Sequence, residues 1–105
     1  MNGKQKSLDL GIEIYRLVKK LPPEEEHVLT EMLMSATGEI AANIRMMELD
    51  SPQEERAEFL SAACGKIAVV ETLLTVCVAV KYLAEAEVAT ALNMCAELGR
   101  MLKQS

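Results

Sequence analysis

Aromatic side chains are nearly missing from this chain: 105 residues include no Trp, two Tyr and one Phe. A platform that stacks nucleic-acid bases needs rings, so that mode of binding is excluded. Histidine is equally scarce, and His27 is the only one. Glu24 and His27 form one Glu-x-x-His pair, whereas a di-iron four-helix centre draws on two such pairs and two further glutamates. The pair lies among Glu24, Glu25 and Glu26 and reads as solvated surface. The few glycines make no phosphate-cradling loop, and Gly65 and Gly99 fall inside helical patterns, where close packing is the simpler reading. Cys64, Cys77 and Cys95 include no CxxC and have no base nearby in sequence to generate a thiolate. Their odd number and apolar settings read as reduced, buried thiols in a cytoplasmic protein. No uncharged run is long enough to span a bilayer, Thr72 to Val80 being the longest in the middle, and the N-terminus is polar through Ser7, unlike a signal peptide. The expectation is a protein that is not an enzyme, with no cofactor, no metal site, no membrane span and no evident small-molecule substrate.

Prolines are also few, and their placement organises the rest. Three occur at two points, Leu21-Pro22-Pro23-Glu24 and Asp50-Ser51-Pro52-Gln53-Glu54. Proline stops a helix but fits the first turn of the next, where its missing N–H would have had no partner. The pattern predicts one domain over 1–105 with helices over about 8–20, 23–48, 52–82 and 85–103. Ser7 is the expected N-cap of the first helix, with core stripe Leu10, Ile14, Leu17, Val18 and Leu21. The second carries Val28, Leu29, Met32, Leu33, Ala36, Ile40, Ile44 and Met47. Ser51-Pro52-Gln53-Glu54 reads as a capping box opening the third. The fourth carries Val88, Ala91, Leu92, Cys95, Leu98, Gly99 and Leu102. The turn at Leu83-Ala84 has no good cap. Four helices with short connections make an all-α, antiparallel up-down-up-down four-helix bundle.

The third helix is apolar on too many sides. From Ile67 to Val80 only Glu71 is charged. Phe59, Leu60, Ala63, Ile67, Val70, Leu74, Cys77 and Val78 fill a broad arc, while Val69, Val76 and Val80 point elsewhere. A helix packed on one side needs a stripe of only about 100°. A second stripe, Ser61, Gly65, Ala68, Thr72, Thr75 and Ala79, consists of small residues at spacings of four and three. Such a stripe allows close helix approach, either within the bundle or between subunits. Asn43, on or beside the second helix's stripe, could fix helix register through a core hydrogen bond.

Net charge is −5, unevenly placed. Residues 1–20 hold five of the basic side chains, Lys4, Lys6, Arg16, Lys19 and Lys20, and two acids, whereas residues 21–59 hold ten acids and two arginines. The five basic residues are the candidate nucleic-acid contacts. The acidic middle would repel a polyanion unless the first helix alone faced it.

Several segments together resemble the four-helix bundle family of ribosomal RNA intervening-sequence proteins and accessory proteins of diversity-generating retroelements. Tyr15-Arg16-Leu17-Val18-Lys19-Lys20-Leu21-Pro22-Pro23-Glu24-Glu25 is similar to that family's Tyr-x-Leu-x-Lys-x-hydrophobic-Pro-x-x-Glu segment. Ile40-Ala41-Ala42-Asn43-Ile44 resembles its Ile-x-x-Asn-Ile, and Glu58 through Thr72 its Phe-Leu-x-x-Ala-x-Gly-Ser segment. Gly99-Arg100-Met101-Leu102 resembles its C-terminal end. The resemblance implies a left-handed bundle, a homopentameric ring and no catalysis. Retroelement relatives are basic and contact nucleic acid and a reverse transcriptase. Here the stretch after Ile44 is acidic where the family is basic, Lys66 follows Gly65 in place of a small hydroxyl residue, and Val70 replaces a common Glu. The leading expectation is a self-assembling scaffold or accessory protein whose partner is itself. The alternative is a nucleic-acid accessory protein.

Overall fold

The computed structural model describes residues 3–49 and 52–104. Among them the regular structure is entirely helical. α1 spans Gly3–Val18, α2 Glu31–Glu48, α3 Gln53–Ala79 and α4 Glu85–Lys103. A 3₁₀ turn (Pro23–Glu25) and a π turn (Glu26–Thr30) lead into α2. Each helix packs against its chain neighbours, and α1 closes onto α4. That order of neighbours is what an up-down-up-down arrangement produces.

One apolar core runs through the bundle. Leu10, Ile14 and Leu17 of α1 meet Leu33, Ile40 and Ile44 of α2, Ala63, Val70, Leu74 and Cys77 of α3, and Ala91, Cys95, Leu98 and Leu102 of α4. These are almost entirely aliphatic side chains, as a chain so poor in aromatics requires.

Several local expectations are corrected. α1 begins at Gly3 rather than near Leu8. Ser7 is therefore not its N-cap: it is buried, and its hydroxyl donates back to the Lys4 carbonyl at 2.8 Å. The added turn is tied down by an ion pair between Lys6 and Glu97 of α4 at 2.7 Å. In α2, Val28 and Met32 are exposed rather than core. Each precedes a buried leucine by one residue, about 100° around a helix. Thr37 is buried instead, and its hydroxyl donates to the Leu33 carbonyl at 2.6 Å, so no polar group is left unpaired. α3 starts at Gln53 and ends at Ala79 rather than at Tyr82; Pro52 flanks its start. The cap expected on Ser51 lies outside the described residues.

The connections are held by specific bonds. Arg56 of α3 reaches back to the Met47 carbonyl at 2.6 Å, occupying one of the free carbonyls at the end of α2. The poorly capped Leu83-Ala84 turn is built by Lys81, whose φ of 69° takes the left-handed position usually given to Gly. The N–H groups of Tyr82 and Leu83 then return to the Cys77 carbonyl. Ala84 cannot cap α4 with its side chain, but its backbone N–H donates to the Glu87 carboxylate at 2.8 Å. Lys20 holds the same carboxylate from the end of α1 at 3.0 Å. The Tyr82 hydroxyl donates to Glu25 at 2.9 Å, joining this turn to the 3₁₀ turn.

Candidate assembly surfaces

A helix that is hydrophobic all round belongs inside a protein, yet α3 has only one side inside. Ala63, Ile67, Val70, Leu74 and Cys77 are buried. The small-residue stripe, Ser61, Gly65, Ala68, Thr72, Thr75 and Ala79, is exposed along its whole length. A Cβ added at Gly65 would meet nothing within 4 Å. The stripe is therefore not used to pack helices within the bundle. Val76 (38% exposed) and Val80 (50% exposed) widen it. Between Glu58 and Lys81 the only charged residues, Lys66 and Glu71, sit half-buried on the flanks. The result is an uncharged outward face roughly 27 Å long at 1.5 Å per residue. By length and composition alone α3 could cross a membrane, but only 33% of its most apolar window is buried. Part of the helix's apolar surface is left uncovered by its own bundle.

A second apolar surface lies on the other side of the chain's midpoint. α2 runs back along α1, bringing Thr37 within 3.5 Å of the space a side chain on Gly11 would fill. Gly11 and Gly38 leave a furrow along the α1–α2 seam, an open groove of about 400 Å³. Its walls include Leu8, Ile12, Tyr15, Met34 and Ala41. Ile12 is 67% exposed and Tyr15 53%, so these are projecting side chains and not core residues. Lys19 lies over the Tyr15 ring, 4.7 Å from its centroid. In the sequence this surface is overshadowed by the stronger core stripe of α1, but its signal is there: Leu8, Ile12 and Tyr15 recur at four and three on the face opposite Leu10, Ile14 and Leu17.

The family described as 23S rRNA-intervening sequence protein matches residues 1–104. The chain belongs to this family. The fold has a solved counterpart in a protein of unknown function from the S23 ribosomal protein family of Bacteroides thetaiotaomicron VPI-5482. The TM-score is 0.88 at 23% identity, over 97% of this chain and 95% of that one. No curated protein matches.

In this intervening-sequence protein the five basic candidates do not form an open patch. Lys6 is held by Glu97 and Lys20 by Glu87. Arg16 donates to both oxygens of the largely buried Glu13 carboxylate, at 2.9 and 2.7 Å. Among the described residues no ion pair engages Lys4 or Lys19. Asn43 is half-buried, and its amide donates to the Glu39 carbonyl of its own helix at 2.8 Å, a local bond that pins no second helix. His27 stands in solvent beside Glu26. Cys77 and Cys95 are buried and Cys64 half-buried, all as free thiols. Burial, and then Glu71, pushes the Cys95 thiol up to about 12, and burial raises Cys77 as well, the opposite of what a nucleophile requires.

Proposed function

We propose that this intervening-sequence protein is a non-enzymatic, self-assembling scaffold or accessory protein, and that its working form is a homopentamer. The observation that carries the reading is the uncharged, solvent-facing stripe of α3 from Ser61 to Ala79. Monomeric soluble proteins rarely leave contiguous apolar patches beyond a few hundred Å² uncovered. A ring suits a chain with two different outward apolar faces, because contacts between unlike faces build rings where the rotation closes and open filaments where it does not. The absence of catalysis is supported by the raised thiols and by a histidine with no functional neighbour. Free thiols also suit a reducing, cytoplasmic setting. Molar mass from light scattering at micromolar concentration tests the proposal; a clean monomer overturns it.

The nucleic-acid alternative has less support. Three of its five basic residues already hold carboxylates of this chain. It predicts binding that falls steeply with salt, and an RNA or DNA gel shift at low salt would restore it.

A further inference from the structure

We infer that the α1–α2 groove is the seat of the α3 stripe of a second copy of this chain, so that subunits join head to tail. The inference rests on the self-assembly proposed above and names the surfaces that meet. Three observations converge on a second copy as the occupant. The first is shape: the groove presents the large projecting side chains Leu8, Ile12 and Tyr15, while the stripe presents Gly65, Ala68 and Thr72, with open space around Gly65. Large residues on one helix need small ones opposite for the axes to approach. The second is register. Residues 8, 12 and 15 of α1, with Lys19 just past its end, and residues 61, 65, 68 and 72 of α3 both recur at four, three and four, the spacing of helices packed side by side at a shallow angle.

The third is charge. Because α2 runs back along α1, Lys4 and Arg45 stand at the same end of the groove, both exposed. The exposed start of α3 carries Glu54, Glu55 and Glu58. Seating the acidic start of α3 against Lys4 and Arg45 makes it run parallel to the neighbour's α1. Two like copies of either face packed in parallel would instead set acid against acid or base against base, so a parallel contact joins unlike surfaces.

Two singly disabled variants decide the matter. Ile12→Glu spoils the groove and leaves the stripe; Thr72→Glu spoils the stripe and leaves the groove. Both sites are exposed, so circular dichroism, and melting at a dilution where the unaltered protein is dissociated, should match the unaltered protein; Tyr15→Glu and Ala68→Glu serve as replacements should either variant misfold. Each variant alone should sediment as a monomer of about 11.5 kDa. An equimolar mixture should give a 1:1 dimer of twice that mass and nothing larger, since one good groove and one good stripe remain. Ile12→Glu still self-assembling, or a mixture staying monomeric while the unaltered chain assembles, overturns the pairing but spares the assembly. An unaltered chain that is monomeric and floats with phospholipid vesicles overturns both and assigns α3 to a lipid surface.

Discussion

Replacing Thr72 by glutamate separates two quantities that are usually entangled, the stability of a subunit and its affinity for its neighbours. Thr72 is exposed near the middle of the stripe. Its helical neighbours at positions 68, 69, 75 and 76 are Ala, Val, Thr and Val, so the new carboxylate meets no like charge. Glutamate is also the better helix former. Subunit stability should therefore change by no more than about 0.5 kcal/mol, the usual range for a surface site. At an interface the same carboxylate would be stripped of water with only Lys19 near it, and that ammonium already lies over the Tyr15 ring. An uncompensated buried charge costs about 3–5 kcal/mol; partial pairing with Lys19 sets the expectation at the lower end, roughly 10²-fold in dissociation constant. Light scattering over a dilution series reads the loss of assembly, and thermal melting at the dissociated end of that series reads the subunit. Ala63→Glu is the contrast: Ala63 is fully buried on the inner face and its replacement should unfold the bundle. An assembly unchanged by Thr72→Glu would refute the reasoning. So would a melt as damaged as that of Ala63→Glu, because the stripe would then be packed inside the fold.

Other outcomes follow from single bonds. Lys81→Gly should stabilise the subunit by about 1 kcal/mol, because φ of 69° strains any residue with a Cβ; a lower midpoint in urea would contradict this. The Ala84 N–H, and then Lys20, hold Glu87 below the ordinary carboxylate value of 4.5, and Lys6 does the same for Glu97. Groups depressed in the folded state stabilise it fully above that ordinary value and lose the effect as pH falls through their folded values. The double variant Glu87→Gln, Glu97→Gln should therefore flatten the acid limb of a Tm-versus-pH curve below about 4.5 and leave the neutral region's slope unchanged. Alkylation of the native protein near neutral pH should label half-exposed Cys64 first, with Cys77 and Cys95 reacting only on unfolding, as intact-mass measurement would show.

Much of the fold was legible because hydrophobic spacing and two proline junctions are local signals. The core of α1, Leu10, Ile14, Leu17 and Val18, is read directly from spacing. Identity misleads at three positions: Val28 and Met32 are apolar yet exposed, and Thr37 is polar yet buried, because its hydroxyl needs only the carbonyl four residues back to be buried at little cost. The start of α1 is hidden in the sequence because Lys4, Gln5 and Lys6 carry no stripe; Lys6 meets Glu97, ninety-one positions away. The small-residue stripe was legible in spacing but not in direction. Small residues at four and three serve a seam inside a bundle or outside it equally well, and only the burial of Ala63, Ile67, Val70 and Leu74 across the helix fixes which way Ala68 and Thr72 face.

Arg56, reaching from α3 to the Met47 carbonyl, divides the chain into two hairpins while holding them together. The groove belongs wholly to the first hairpin and the stripe wholly to the second. Under head-to-tail joining, a mutation in one half of the gene is answered only by a change in the other half. Duplication of the gene would break that bond of inheritance: one copy's groove and the other's stripe could drift together into a private match. Two alternating subunit types fit only a ring of even number, so the proposed five-membered ring would keep both halves tied to a single gene.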